Sequence, residues 1–423
     1  MRTLIVVVAF TMAAFGQRHK LEELDAEKPD GKALQQVLTE TDEAKKGAMM
    51  EQYVADYPKS PGTAWVLELL QAYYMKAEQP DKAIAAGEKL LAIDPADPDA
   101  VLQCLKAAES KKDAALIVKW AAATSTLSRQ IAEKPKPADE DAAAAWKADV
   151  DYAKQTDGYA DYALYRAAVE SSDPKLTISL IVALQQQNPK SEYVAKSVDP
   201  LFVAYRQTGA NDKALALAES TLAVEQTNTE MLLLVADNYM QNNKEPEKVH
   251  AYTAKIVEIM AQKPKPDGTS DADWTARKDT FTGLAHYMSG KLYYNENDFD
   301  KADVELRAAL PLPVVQSSAD RKPEVLFLLG FANFKLKKLP DAAGFFKDCA
   351  AIKSPYQANA AKNLEGVRNQ SRGASRPAFS QVAGLRDVAH ALMRAASAPM
   401  PTLVRDTLSP PRRRVEKRLD TEA

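Results

Sequence analysis

The sequence predicts an all-α protein assembled from paired helices, and three observations carry that prediction. First, Gly290 to Ala309 (GKLYYNENDFDKADVELRAA) and Leu329 to Ala350 (LGFANFKLKKLPDAAGFFKDCA) follow one plan. Each has a Gly (Gly290, Gly330), then aromatics (Tyr293 and Tyr294; Phe331 and Phe334) and a polar turn. Each then places an Ala twelve residues past the Gly (Ala302, Ala342) and an apolar residue four further on (Leu306, Phe346). Second, only 15 of 423 residues are Gly, and Ala, Leu, Lys, Glu, Asp and Gln dominate, which favours helix throughout. Third, Lys134-Pro135-Lys136-Pro137 recurs 129 residues on as Lys263-Pro264-Lys265-Pro266, and Trp146 recurs as Trp274.

The plan resembles the tetratricopeptide repeat (TPR), a helical hairpin of about 34 residues that stacks into an α-α superhelical solenoid. The family pattern wants apolar residues at positions 4 and 7, a small residue at 8, an aromatic at 11, Ala at 20 and a large apolar residue at 24. The resemblance implies about seven TPR-like hairpins: two duplicated three-hairpin units plus a final one. With the N-terminal pattern below, the chain resembles a TPR protein of the exported bacterial type.

Taken in order, the chain opens on Met1-Arg2 and an apolar run, Leu4 to Ala14, broken by Thr11. Ala14-Phe15-Gly16 follows with small residues where a signal peptidase reads. Residues 1–16 therefore read as a secretory signal peptide cleaved before Gln17, with an uncleaved N-terminal anchor as the alternative. No internal window is long and apolar enough for a membrane span. Residues 17–63 carry a helical pattern (Leu34, Val37, Leu38, then Met49, Met50, Tyr53, Tyr57), which fits a cap or degenerate hairpin.

The first duplicated unit covers 64–190. Ala64–Asp97 has Leu67, Leu70, Tyr74, Ala83 and Pro95 in frame, but Gln71 and Gly87 depart at positions 8 and 24. Pro98–Ile131 is a weaker copy with Val101, Cys104 and Ala108. Gly158–Lys190 has Leu164, Thr177, Ile181, Leu184 and Pro189. The second unit covers 195–316. Ala195–Asn228 has Val198, Leu201, Tyr205, Ala214 and Ala218. Thr229–Gln262 is degenerate: Tyr239 fits, but Lys248 or Val249 stands where the packing Ala belongs. Gly283–Gln316 closes the unit. Residues 323–370 form the final hairpin, Pro323–Tyr356, and a capping helix.

In both units Lys-Pro-Lys-Pro separates the second hairpin from the third, and it cannot be helical. An acidic stretch (Asp139-Glu140-Asp141; Asp271-Ala272-Asp273) then restarts a helix. The loop reads either as a binding edge or as a spacer for a longer helix with the Trp as a packing plug.

Residues 371–423 change character. They hold 9 Arg, 1 Lys and 5 acidic residues, a net +5 against −8 for the rest. The composition reads as a mostly disordered tail. Its Arg cluster (Arg412 to Arg414) allows peripheral contact with an anionic membrane. Phe379 is its only aromatic, which argues against nucleic acid as a partner. An abrupt switch from Lys to Arg is also what a translated non-native reading frame would give.

The chain carries no motif for chemistry. The four His (His19, His250, His286, His390) are isolated in sequence, with none at zinc-ligand spacing. A Gly-rich phosphate loop and a Gly-x-Ser-x-Gly elbow are both missing. The two Cys, Cys104 and Cys349, fall on core positions far apart and read as buried thiols rather than as nucleophiles or a disulfide. No catalytic residue, cofactor or metal ligand is predicted.

The resemblance implies that helix A of each hairpin lines the concave groove with positions 2, 5, 9, 12 and 13. These map to Leu284, Tyr287, Lys291, Tyr294 and Asn295; to Glu324, Phe327, Phe331, Phe334 and Lys335; and to Tyr159, Tyr162 and Arg166. Such an aromatic groove suits an extended or helical peptide, or Phe327 and Phe331 pack into the neighbouring hairpin. Lys291 and Asn295 have the spacing of the family's carboxylate clamp but sit four positions late. The expected function is a non-catalytic protein- or peptide-binding scaffold in the periplasm or envelope. The alternatives are a self-associating assembly factor and, further off, an enzyme acting on cell-wall material. The sequence leaves the oligomeric state open.

Overall fold

A computed structural model describes His19 and residues 24–371. The expected signal segment 1–16 and residues 372–423 of the tail lie outside the described residues. Every regular element among the described residues is an α-helix, and the chain divides into two compact units, the first ending at Gly209 and the second beginning at Ala210.

The first unit holds α1 (Pro29–Thr39), α2 (Glu43–Asp56), α3 (Gly62–Lys76), α4 (Pro80–Ile93), α5 (Pro98–Lys111), α6 (Ala114–Ala132), α7 (Glu140–Glu170), α8 (Pro174–Gln187), α9 (Glu192–Lys196) and α10 (Val198–Gln207). The second holds α11 (Asn211–Leu222), α12 (Thr229–Gln241), α13 (Pro246–Gln262), α14 (Asp271–Asn295), α15 (Phe299–Ala309), α16 (Pro313–Gln316), α17 (Arg321–Lys335), α18 (Leu339–Ala350) and α19 (Gln357–Ser371). From α1 to α8, and again from α11 to α15, each helix packs on the next, and α17, α18 and α19 continue the row. This is an all-α architecture of hairpins in series, as expected.

Short polar caps start several of these helices. Asp97, Asp113, Asp139 and Asp298 accept backbone N–H groups at the starts of α5, α6, α7 and α15, and Asn228 and Ser270 do so for α12 and α14. Each satisfies donors that the first helical turn leaves unpaired.

The turn inside a hairpin repeats one conformation. Glu78, Lys112, Asn297 and Lys337 all have positive φ, 54° to 64°, and all stand at position 15 of the sequence frame. One further residue then leads into α4, α6, α15 and α18. In the degenerate hairpin Asn243 takes the same position and Glu245 is left-handed as well, so the turn is one residue longer. That shift decides which residue replaces the packing Ala. Val249 is fully buried, whereas Lys248 is exposed and pairs with Glu245.

The helices of a hairpin cross where one side chain is small. A Cβ on Gly290 would lie 2.7 Å from Leu306 Cγ, and one on Gly330 would lie 2.7 Å from Phe346 Cδ1. The small residue at position 8 thus receives the large one at 24 of its own hairpin, which keeps the axes close. In α3–α4 the sizes are exchanged. A Cβ on Gly87 would lie 2.3 Å from Gln71 Nε2 and 2.4 Å from Cys104 Sγ. The two departures from the repeat pattern therefore compensate each other. Leu105 and Ala121, both fully buried, hold the same two positions in α5–α6. In α7–α8 both are large, and Tyr165 stacks on Tyr193 of α9, 5.3 Å between centroids.

The Lys-Pro-Lys-Pro loops lead into α7 and α14, of 31 and 25 residues, the longest helices described. Trp146 donates its indole N–H to the Lys134 carbonyl at 2.9 Å, pinning the loop to the new helix. Trp274 is buried, with the Lys278 ammonium 5.4 Å from its ring.

Candidate functional site

Successive first helices of the hairpins are tied by polar bonds along one face. In the first unit Gln71 donates to the Ala100 carbonyl at 3.0 Å, Tyr152 donates to Asp99, and Tyr159 donates to Glu109 at 2.6 Å. In the second, Arg277 donates to Glu230 and Tyr287 to Glu324, both at 2.5 Å. These bonds consume several of the side chains expected to meet a ligand.

Around α7, Arg166 lies 3.8 Å from Glu109 and 3.5 Å from Glu170. Tyr162 remains half-buried between Tyr159 and Tyr193, with centroids 6.2 and 5.6 Å away. Tyr159, Tyr162, Tyr165 and Tyr193 form one cluster, edged by Lys106 over Tyr159 and Lys196 over Tyr193. Tyr193 sits on a five-residue helix outside the repeat frame, so position counting does not find it. Burial and then the Glu109 carboxylate push the Tyr159 hydroxyl well above its usual range, so it stays a donor.

Around α14 and α17, Lys291 is paired with Glu324 at 2.8 Å, beside the Tyr287 hydroxyl. Burial and Glu324 raise the Tyr287 pKa well above normal. Lys291 is thus tied inside the fold and does not form a clamp with the exposed Asn295. Phe327 is 5 % exposed and packs on Phe346 and Tyr356, centroids 5.9 and 5.3 Å away. It is a core residue within its own hairpin, where α17 meets α18, rather than one packed into the neighbouring hairpin. Phe331 is only partly buried. It meets Tyr294 edge-on at 5.7 Å, with Phe299 at 6.2 Å and the Lys335 ammonium 5.2 Å from its ring. Phe334 is half-buried against the same core as Phe327, and Leu284 is buried.

Both cysteines are fully buried and free, and burial pushes each thiol up to about 12, which leaves them protonated at neutral pH. A hollow of about 370 Å³ between α4, α5 and α6 is lined by Leu91, Pro95, Val101, Trp120, Leu127 and Gln130 among others, with no ionisable side chain.

The three histidines among the described residues, isolated in sequence, each lie beside a carboxylate in space. His286 Nδ1 lies 2.7 Å from Glu305, and His250 Nε2 lies 3.0 Å from Glu296 with its ring stacked on Tyr293. His19 Nε2 lies 3.2 Å from Asp97 Oδ2 and 3.6 Å from Glu68 Oε1. The potential ligand atoms of His19, Glu68 and Asp97 all lie within 4.8 Å of one another. Partners 49 and 78 positions away leave no trace in local spacing.

No protein-family profile matches the sequence, and no curated protein matches it. Solved structures that align include the TPR domain of P58(IPK), with 12 % identity, 82 % of this chain and 100 % of that one covered, and a TM-score of 0.24. Yeast Tom70 aligns with 10 % identity over 82 % of this chain and 97 % of that one, TM-score 0.20. At such scores the fold rests on the helix pairing described above, not on the alignments.

Proposed function

We propose that this chain is a non-catalytic scaffold that binds a protein or peptide on the first-helix faces of its hairpins, and that it is exported to the bacterial periplasm or envelope. The observation that carries the binding reading is the half-buried tyrosine cluster of Tyr159, Tyr162, Tyr165 and Tyr193, edged by Lys106 and Lys196. Tyr294, Phe331 and Lys335 make a similar face in the second unit. Rigid aromatic rings with one side open are good anchors for a partner, because little conformational entropy is lost on contact. A cationic edge favours a partner with acidic side chains beside its apolar ones. Export is supported by the signal pattern at 1–16, and the Arg-rich tail supplies peripheral membrane contact in this reading.

The test is recovery of partners from an envelope extract by wild type and by Tyr162→Ala, Tyr193→Ala and Phe331→Ala variants that remain folded. Loss of the same partner in one of these variants supports the reading. Unchanged recovery in all three counts against it. Cell fractionation with N-terminal sequencing tests export: a periplasmic chain beginning at Gln17 is expected, and a cytoplasmic chain beginning at Met1 overturns it.

A further inference from the structure

We propose that His19, Glu68 and Asp97, with Asp94 beside them, form a binding site for a divalent transition-metal ion of the zinc type. The imidazole Nε2 of His19 has three carboxylate oxygens around it: Asp97 Oδ2 at 3.2 Å, Glu68 Oε1 at 3.6 Å and Asp94 Oδ2 at 3.9 Å. One imidazole nitrogen carries at most one proton, so a hydrogen bond accounts for a single one of these approaches. A tetrahedral zinc ion held by His19, Glu68 and Asp97 accounts for the two closest. With bonds of about 2.0–2.1 Å its ligand atoms lie about 3.3 Å apart. The Nε2 separations from Asp97 and Glu68 are 3.2 and 3.6 Å, and the three ligand atoms all lie within 4.8 Å of one another.

The donors are held in the way a metal ligand must be. Asp97 has a fully buried side chain, and its Oδ1 accepts the backbone N–H groups of Asp99 at 2.9 Å and Ala100 at 3.0 Å. Those bonds fix the carboxylate and leave Oδ2 turned toward His19. The side chains of His19 and Glu68 are 16 % and 19 % exposed, so the site is shielded yet open to solvent at one edge. An imidazole among carboxylates selects zinc, cobalt or nickel over calcium or magnesium, which take oxygen alone. The ligands come from the segment before α1, from α3 and from the α4–α5 connection. A bound ion would therefore clip His19 onto α3 and the α4–α5 connection, and its binding free energy would add to the first unit's stability.

The test uses the full chain without a histidine tag, stripped with a chelator, and titrated with Zn²⁺ by calorimetry and with Co²⁺ by visible absorption. One equivalent of each metal is expected, together with d–d bands of a four-coordinate cobalt and a higher melting temperature. His19→Gln and Glu68→Gln alter no helix cap, so they keep the fold. Each is expected to weaken uptake about tenfold or more. Absence of stoichiometric uptake by wild type, or uptake undiminished in either variant while circular dichroism is unchanged, overturns the proposal.

Discussion

Gln71 of α3 fills the space that Gly87 of α4 leaves open, where other hairpins set a glycine against a large apolar residue. Gln71 is 2 % exposed, and its amide reaches the Ala100 carbonyl of the next hairpin. Gly87→Leu is expected to destabilise the chain by about 1–3 kcal/mol through overpacking. Adding Gln71→Gly restores the pattern of α14–α15, so the double variant should recover at least about 1 kcal/mol of that loss. Denaturant unfolding of the two single variants and the double variant measures the coupling. Simple additivity would show that the two positions do not exchange volume.

The left-handed residues at the hairpin turns give a second prediction. Lys112 and Lys337 are exposed and have φ of 54° and 62°. A Cβ is disfavoured in that conformation, and glycine is not. Lys112→Gly and Lys337→Gly are each expected to raise stability by about 0.5–1 kcal/mol, net of the extra freedom of glycine in the unfolded chain. Urea midpoints for the two variants check this, and a fall in midpoint would contradict it.

Asp303 predicts a pH dependence. It is 6 % exposed and accepts from Asn333 at 2.6 Å, from Arg307 at 2.7 Å and from Lys338 at 3.2 Å. Burial works to raise its pKa, but these three donors outweigh burial and hold the carboxyl below its usual range. A depressed carboxylate stabilises the fold above its unfolded pKa of about 3.9, and that contribution is lost as pH falls through the folded value. Between pH 6 and pH 3 the stability gap between wild type and Asp303→Asn should stay open down to about pH 4 and then narrow. Near neutral pH the gap should be about 1–2 kcal/mol, because Asp303 is buried but its partners Arg307 and Lys338 are 41 % and 48 % exposed and turn to water when the anion is removed. Thermal melts across this range give both readings.

Core and surface on α17 separate by stability. Phe327→Ala should cost about 3–5 kcal/mol, since it empties a packed site against Phe346 and Tyr356. Lys335→Ala should stay within about 0.5 kcal/mol of wild type. Calorimetric unfolding of both variants distinguishes them, and similar losses would refute the division.

The cysteines should resist modification in the native state. With thiols pushed up to about 12 and fully buried, neither Cys104 nor Cys349 should react with a chromogenic disulfide reagent at pH 8 until the chain unfolds. Release of two equivalents in guanidinium and close to none without it is the expected result.

What the sequence made legible was local. Gly290, Gly330, Ala302 and Ala342 were recognisable because a small side chain at a helix crossing has a size reason, and the acidic residues at the starts of α7 and α14 because a helix N-terminus favours carboxylates within one turn. The slip in the degenerate hairpin was half visible: Lys248 and Val249 were both candidates, and only the extra left-handed residue at Glu245 decides for Val249. The expected ligand faces fared differently. Position counting found Tyr162 and Phe331 but could not foresee that Tyr159, Tyr287 and Lys291 would be bonded to Glu109 and Glu324 on adjacent hairpins. Those bonds join residues 33 to 50 apart, as do the neighbours of His19 at greater range, and such separations carry no periodic signal.

The exchanged volumes at the helix crossings also act as a mating code. Hairpins built to one plan risk pairing with the wrong neighbour while the chain is collapsing, a known hazard of repeated sequences. If α3 met α18, Gln71 would be driven against Phe346, two large side chains at one crossing. If α17 met α4, Gly330 would face Gly87 across a void. The first helices α3 and α5, large at the crossing, are thus fitted to small mates, and α14 and α17, with glycine there, to large ones; pairings across these two classes are rejected by collision or by emptiness.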